Sequence, residues 1–195
     1  MKHALPHACT SACIFLIASA ATPVFGNDPE SSIWAELLLG RSSVGWISLF
    51  SGASGDVDPT VPTIETVINA DETIEFAGRA YLNGEWLPTA TTTASSPHIV
   101  ALRDGDPVPD IKAFQTNQIA GYLEPYLDSG DTANIGPRDL LYLVELTTTD
   151  PDSGDYNLQD LVFLVTFEQV PVDAESDDYE FDFDDEFDYD DDDDD

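Results

Sequence analysis

Short apolar segments alternate with clusters of Gly, Pro, Asp and Ser along most of the chain. β-branched and aromatic residues dominate these segments, and this pattern is typical of strands in an all-β protein. The spacing predicts strands at Ile33 to Leu39, Val44 to Phe50, Thr63 to Ile68, Thr73 to Phe76, Arg79 to Leu82, His98 to Leu102, Leu140 to Thr147 and Leu161 to Glu168. We therefore expect residues 27–172 to form one domain, an antiparallel β-sandwich.

The last two predicted strands show almost no alternation of apolar and polar residues. Leu140 to Val144 and Leu161 to Val165 are continuous apolar runs. A strand that is apolar on both sides is expected where both faces of the sheet are covered. We therefore place these two strands in the centre of the core.

Two local signals refine this picture. Asn83-Gly84 separates two apolar segments and predicts a two-residue hairpin turn, because both residues tolerate positive φ. Apolar residues at helical spacing predict one short helix around Thr116 to Leu123, which Pro125 should end.

The beginning of the chain has the layout of a secretory signal peptide. Lys2 precedes an apolar run from Cys13 through Ala21, and small residues follow it up to Gly26. The run is shorter than the ~20 apolar residues of a membrane-spanning helix. We therefore expect residues 1–26 to be a signal peptide and the mature protein to be secreted, periplasmic or on the cell surface, with no membrane span. Both cysteines, Cys9 and Cys13, lie in this segment, and an exported chain without disulfides favours a bacterial origin.

Acidic residues dominate the charge of the chain. Its 39 acidic and six basic residues give a formal charge of −33. Residues 27–172 contribute 23 acidic and five basic residues, and residues 173–195 contribute 16 acidic and no basic residues. Such a surface repels nucleic acid and favours divalent cations or basic protein partners.

The C-terminal tail, residues 173–195, alternates acidic with aromatic side chains. Repulsion between neighbouring carboxylates opposes a fixed fold, so we expect the tail to be disordered in isolation. Its aromatic residues either dock onto a basic protein or surface partner, or serve with the acids only to keep the chain solvated. The sequence favours neither reading.

The segment Asp150 to Asp160, between the last two strands, is dense in oxygen-bearing side chains. The candidates for metal ligands are Asp150, Asp152, Asp155, Asn157 and Asp160. Calcium takes six to eight oxygen ligands in flexible geometry, so this loop is a candidate structural calcium site. The alternative is a solvated loop in which Asp side chains cap turns. The turns Ser54 to Asp58 and Asp104 to Asp110 are weaker candidates of the same kind.

Glu145-Leu146 follows the first central strand, and Asp155-Tyr156-Asn157-Leu158-Gln159-Asp160 precedes the second. With the strands around them, from residue 140 to 167, these segments resemble a family of bacterial secreted C-terminal domains of unknown function. That family's end reads apolar strand, Glu-Asp-Leu, acidic loop, Asp-x-Asp-Phe-Asn-Asp and Val-rich strand. The resemblance is partial, because Leu146, Asn157 and Gln159 depart from the motif. It implies an all-β extracellular module with a calcium-like acidic site that includes Glu145, and no assigned reaction.

These features together favour a secreted module for extracellular binding or surface structure over an enzyme. Two other functions stay open: a carbohydrate-active or other hydrolytic module using loop carboxylates such as Glu145 and Asp160, and a cation- or mineral-sequestering protein acting through its tail. The three tryptophans, Trp34, Trp46 and Trp86, could form a carbohydrate-stacking platform. Large aromatic residues in a sandwich are more often in the core, and we expect them there.

Overall fold

The computed structural model describes residues 9–19, 34–53, 56–69, 71–93, 96–116, 120–129, 132–148, 150–153 and 155–169. Its elements are β1 (Cys9–Ser19), β2 (Trp34–Arg41), β3 (Gly45–Gly52), β4 (Ile64–Asn69), β5 (Ile74–Leu82), β6 (Glu85–Trp86), β7 (Ala90–Thr91), β8 (Ile99–Leu102), α1 (Lys112–Gln115), a 3₁₀ helix (Glu124–Tyr126), β9 (Leu127–Asp128), β10 (Thr132–Ala133), β11 (Asp139–Val144) and β12 (Leu161–Gln169). The all-β class is confirmed. Within these ranges no helix is long and apolar enough to cross a membrane.

Two antiparallel sheets make up most of the fold. Sheet A has the strand order β4-β1-β12-β11-β8. Sheet B has the order β3-β2-β5-β6, and β7 also pairs with β5. A separate two-stranded ribbon joins β9 and β10. Within the two sheets, consecutive strands pair at β2–β3, β5–β6 and β11–β12, whereas β1–β4, β1–β12, β2–β5 and β8–β11 join strands that lie farther apart along the chain.

Side chains from both sheets form the main core cluster. The buried members from sheet B are Ala35, Leu37, Leu39, Phe76 and Ala80, and those from β11 and β12 are Val144, Leu161, Phe163 and Val165. A second cluster covers the other side of β11 and β12, with Leu141, Leu143 and Val162 packed on Phe114, Leu123 and Leu158. The prediction that these two strands are covered on both faces is confirmed. Burial of apolar area on both sides stabilises these two strands by about 25 cal/mol per Å².

The single strand β5 replaces the two strands that the sequence predicts on either side of Gly78. A Cβ atom on Gly78 would lie 3.1 Å from Leu161 Cδ2 and 3.3 Å from Leu146 Cδ2. The glycine therefore marks a close approach of sheet A to sheet B and does not break the strand. The expected break was wrong. The local sequence is the same whether a glycine between two apolar segments ends a strand or lets another sheet approach it closely.

The short helix lies earlier than expected. It spans Lys112–Gln115, and Thr116 already leaves helical geometry while its N–H and hydroxyl both donate to the carbonyl of Lys112. Residues 117–119 lie outside the described residues, and residues 120–123 form a turn that leads into the 3₁₀ helix. Pro125 is accommodated in the first turn of that 3₁₀ helix, where a missing N–H costs little.

All three tryptophans are on the surface, and the expectation that they lie in the core was wrong. The exposed fractions are 44% for Trp34, 50% for Trp46 and 43% for Trp86. Along β2 the period of two directs Ala35, Leu37 and Leu39 into the core and leaves Trp34 outside. Composition alone does not reveal this, because the side of the strand that is covered depends on the other sheet.

The backbone of β1 lies in the segment that the sequence assigns to a signal peptide. β1 pairs with β12 from Thr10↔Gln169 to Ser19↔Leu161 and with β4 from Cys9↔Asn69 to Ile14↔Ile64. The rest of residues 1–26 and the tail lie outside the described residues, so the signal peptide and the disordered tail stay predictions.

Candidate functional site

The loop between β11 and β12, residues 145–160, begins where β11 ends. β11 stops at Val144, earlier than predicted, and the N–H of Asp160 donates to the Val144 carbonyl at 3.0 Å, which closes the base of the loop. Three polar or charged residues are buried as whole residues in the described part of the chain: Glu145, Gln159 and Asp160. All three lie at the base of this loop. We call Glu145 and Asp160 the carboxylate lock.

Glu145 holds the two ends of the loop together. Its Oε1 accepts from the N–H groups of Thr147 at 3.2 Å and Thr148 at 3.1 Å, and from the Thr147 hydroxyl at 2.8 Å. Its Oε2 accepts from the N–H groups of Asn157 at 3.0 Å and Leu158 at 3.3 Å. Five donors are therefore satisfied by one buried carboxylate, which is 1% exposed.

Asp160 completes the lock. Its Oδ2 accepts from the N–H groups of Leu146 at 2.8 Å and Thr147 at 3.0 Å, and its carboxyl group is hydrogen-bonded to that of Glu145. Burial, the Glu145 hydrogen bond and the Glu145 charge raise the pKa of Asp160 to about 8. Burial also raises the pKa of Glu145, but the bond from Asp160 and the backbone donors outweigh it and hold that pKa below its usual range. The two directions favour a proton on Asp160 and the negative charge on Glu145.

Gln159 anchors the loop to the neighbouring turn, and sequence reasoning missed it. Its Oε1 accepts from the N–H of Ala120 at 2.7 Å, and its carbonyl accepts from the Tyr122 hydroxyl at 2.7 Å. Leu158, one residue earlier, has φ of 58° and is buried in the second core cluster. The only available signal was the position of Gln159 in the partly matching motif, where it replaces an asparagine.

The other four predicted ligands lie farther out in the loop. Asp150 Oδ1 accepts from the N–H of Asp152 at 3.0 Å, and Asn157 Oδ1 accepts from the N–H of Gln159 at 2.7 Å, so both side chains cap turns. Asp152 is exposed and Asp155 is half-buried beside the Ser153 hydroxyl. Among the residues that the structure describes, no three His, Cys, Asp or Glu side chains form a group arranged to hold a metal ion.

The six predicted ligands therefore separate into two groups. The oxygens of Glu145 and Asp160 are engaged by N–H donors and by each other, so this pair does not fit the direct coordination of a cation. Asp150, Asp152 and Asp155 keep carboxylate oxygens toward the outer side of the loop, where calcium would also take carbonyl, amide or water oxygens. The weaker candidates act in turns as well, since Asp58 accepts from the Thr60 N–H and Asp106 accepts from the Arg103 N–H.

A second feature lies on sheet B. Trp34 on β2 pairs with Tyr81 on β5, and Tyr81 pairs with Trp86 on β6. The three side chains, which we call the aromatic row, line one open depression of about 430 Å³. Each is 40% exposed or more. The Tyr81 and Trp86 ring centroids are 5.3 Å apart at an interplanar angle of 62°.

Polar neighbours fix the orientation of the aromatic row. The indole N–H of Trp34 donates to the Ser51 hydroxyl at 2.9 Å. The guanidinium carbon of Arg79 lies 4.2 Å from the ring centroid of Trp86, and Arg79 forms an ion pair with Glu36 at 2.6 Å. Both tryptophan rings are therefore held by a specific partner, and both stay more than 40% exposed although Arg79 covers one face of Trp86.

No family model matches the chain, and no curated protein or solved structure shows significant similarity to it. The resemblance of residues 140–167 to the secreted bacterial domains therefore stays a prediction.

Proposed function

We propose that the chain is a secreted, non-catalytic module for extracellular binding or surface structure, in which the acidic loop is a rigid support. The observation that carries this proposal is the carboxylate lock. Glu145 accepts five hydrogen bonds from both ends of the loop, and Asp160 bonds to it directly. A carboxylate with these contacts has a structural task already.

The lock does not suit hydrolysis. A glycosidase needs two carboxyl groups separated by about 5 Å or more, with the scissile bond between them. Glu145 and Asp160 are in direct hydrogen-bond contact, so a substrate has no room between them. The raised pKa of Asp160 thus follows from its own burial and from its carboxylate neighbour, and it is not by itself a sign of acid catalysis.

We further propose that calcium binds in the outer part of the loop as a structural ion. Asp150, Asp152 and Asp155 would supply carboxylate oxygens, and backbone carbonyls or water would supply the rest. The acid excess of residues 27–172 supports this proposal, because a bound divalent ion would offset the mutual repulsion of the loop carboxylates. Two features support the proposal: these side chains offer the oxygen ligands that calcium prefers, and the carboxylate lock fixes the base of the loop that carries them.

The test is the thermal melting of the purified protein in EDTA and then in calcium from micromolar to millimolar, at fixed ionic strength. Linkage predicts a rise in the melting temperature that saturates with calcium, and magnesium should not reproduce it. The double variant Asp152→Asn, Asp155→Asn should abolish the rise and keep the fold in EDTA. A control of equal charge loss, Asp71→Asn with Asp128→Asn, should keep the rise.

Equal effects of calcium and magnesium would mean that the ions only screen the acidic surface, and this result would contradict a calcium site. A calcium response that survives in the loop variant would place the ion elsewhere. Neither result affects the carboxylate lock, which is tested separately below.

A further inference from the structure

The geometry points to a binding surface for neutral carbohydrate on the outer face of sheet B, with the aromatic row as its centre. We infer that an uncharged polysaccharide chain stacks its sugar rings on Trp34, Tyr81 and Trp86. This inference rests on the proposed binding function and names its ligand class. It uses residues on β2, β5 and β6, far in sequence from the acidic loop.

Exposure of the aromatic row needs an explanation. Trp34, Tyr81 and Trp86 are neighbours by strand register, so they form one contiguous apolar area and not three scattered residues. Isolated exposed aromatics are common, but clusters of them mark binding sites. Two of these strands, β2 and β5, bury Ala35, Phe76 and Ala80 on their inner face, and the outer aromatics are not part of that core.

The row is arranged before any ligand arrives. The Ser51 hydroxyl orients Trp34, and Arg79 covers one side of Trp86 while it pairs with Glu36. Side chains that are already ordered lose little entropy on binding, so more of the contact energy contributes to affinity.

The row has the size of a carbohydrate site. Adjacent strands lie about 4.8 Å apart, so three strands place the outer rings of the row roughly 10 Å apart. From about 150–250 Å² per aromatic side chain, the exposed part amounts to roughly 250–300 Å². That is well below the ~800 Å² that each partner contributes to a stable protein interface.

Charge selects against anionic ligands at this surface. Arg79 is the one cation that contacts the row among the described residues, and Glu36 already neutralises it. Glu85 lies beside Trp86 on β6, and residues 27–172 carry an excess of 18 acidic residues. Nucleic acids and acidic polysaccharides would be repelled. A sugar without charge offers C–H groups to the negative ring faces and hydroxyls to Glu36 and Ser51.

A fourth aromatic residue extends the same face. Trp46 on β3 pairs with Gly40 on β2, and its ring atoms Cζ3 and Cε3 lie 3.0 and 3.1 Å from the place a Cβ on Gly40 would occupy. The Trp46 ring therefore lies over the sheet at Gly40, which stands six residues along β2 from Trp34. At about 3.3 Å per residue this separation is roughly 20 Å. A chain of several sugars can contact both places.

The experiment is titration calorimetry of the purified protein with uncharged hexasaccharides of glucose, xylose and mannose, in EDTA and in calcium. At least one should bind, and an anionic galacturonate oligomer should not. Trp34→Ala and Trp86→Ala should each weaken binding tenfold or more without lowering the melting temperature by more than a few degrees. The control Val61→Ala removes another exposed apolar side chain, 54% exposed in the loop before β4, and should leave binding unchanged.

Chain length gives a second readout. Trp46→Ala should weaken hexasaccharide binding and leave disaccharide binding at the aromatic row unchanged, because the two contacts are separated along the sheet. Failure of every uncharged sugar to bind, or binding that Trp86→Ala leaves intact, would overturn the inference. So would self-association of the protein that Trp86→Ala abolishes, since the face would then be a protein interface. Carbohydrate binding that is the same in EDTA keeps the inference valid even if the calcium site fails.

Discussion

At the residue scale, the two members of the carboxylate lock have different chemical states although both are buried acids. Glu145 accepts N–H donors on both oxygens, and Asp160 donates its proton to Glu145 while its other oxygen accepts two N–H groups. A glutamine at 145 would direct an NH₂ group at N–H donors. An asparagine at 160 would keep one donor toward Glu145 and one acceptor for the backbone.

The two amide substitutions should therefore have unequal effects on the free energy of unfolding. We expect Glu145→Gln to lower it by about 2–3 kcal/mol, because bonds to a charged acceptor are lost and a buried donor is left unmatched. We expect Asp160→Asn to change it by less than about 1 kcal/mol at pH 7. Urea unfolding in EDTA measures both. Equal losses would contradict the assigned proton position.

The pH dependence follows from the same assignment. The pKa of Asp160 is about 8 in the folded state and ~3.9 in the unfolded chain, so the protonated form favours the fold. Its contribution is fully present below the unfolded value and is lost as the pH rises through about 8. The stability of the protein relative to Asp160→Asn should thus fall as the pH rises from about 4 to about 8 and level off above that, and a constant difference would argue against the shared proton.

At the element scale, the β5–β6 hairpin joins the local sequence to the binding surface. Asn83 and Gly84 have φ values of 54° and 89°, as predicted for a two-residue turn. The turn places Trp86 directly beside Tyr81. The positive φ values of Asn83 and Gly84 thereby determine the position of Trp86, the last member of the aromatic row.

Substitution of Gly84 should test this role. No atom lies within 4 Å of an added Cβ, so Gly84→Ala introduces backbone strain alone, and we expect a loss of about 1 kcal/mol in unfolding free energy. Gly121→Ala is the matched control, since its surroundings are also open but its φ is not in the left-handed region. Chemical denaturation should show no loss there, or a slight gain. A Gly84 variant as stable as the control would show that the turn adopts another type.

At the scale of the whole molecule, sheet A depends on a strand from the beginning of the chain. β4 pairs with β1 alone among the described strands, and β12 pairs with β1 on one edge and β11 on the other. Arg41 on β2 provides a further tie, because its guanidinium donates to the Thr66 hydroxyl and the Val67 carbonyl of β4. β4 therefore pairs with one strand and is tied to β2 by one arginine, and Ile64 packs against the main core cluster.

Removal of residues 1–26, as a signal peptidase would remove them, should have a local effect. We expect the amides of β4 (Ile64–Asn69) to lose protection from hydrogen exchange, and those of β11 to keep it, because the β11–β12 pairs and both core clusters remain. Exchange measured on the full chain and on residues 27–195 tests this. Unchanged protection in β4 would mean that another segment takes the place of β1. N-terminal mass analysis of the exported protein shows which form the cell makes.

The sequence by itself determined most strands, the hairpin turn and the burial of β11 and β12, because these follow from the spacing of apolar residues along a few positions of chain. It also pointed to Glu145 and Asp160, through their place beside two central strands. Tertiary structure decided the rest. Glu145 and Asp160 meet only when β11 and β12 pair, Gln159 is needed only because a turn from residue 120 packs on it, and Gly78 is explained only by the approach of sheet A. The tryptophans are exposed because sheet A covers the opposite face of sheet B. The spacing of residues along one strand does not show which of its two faces another sheet will cover.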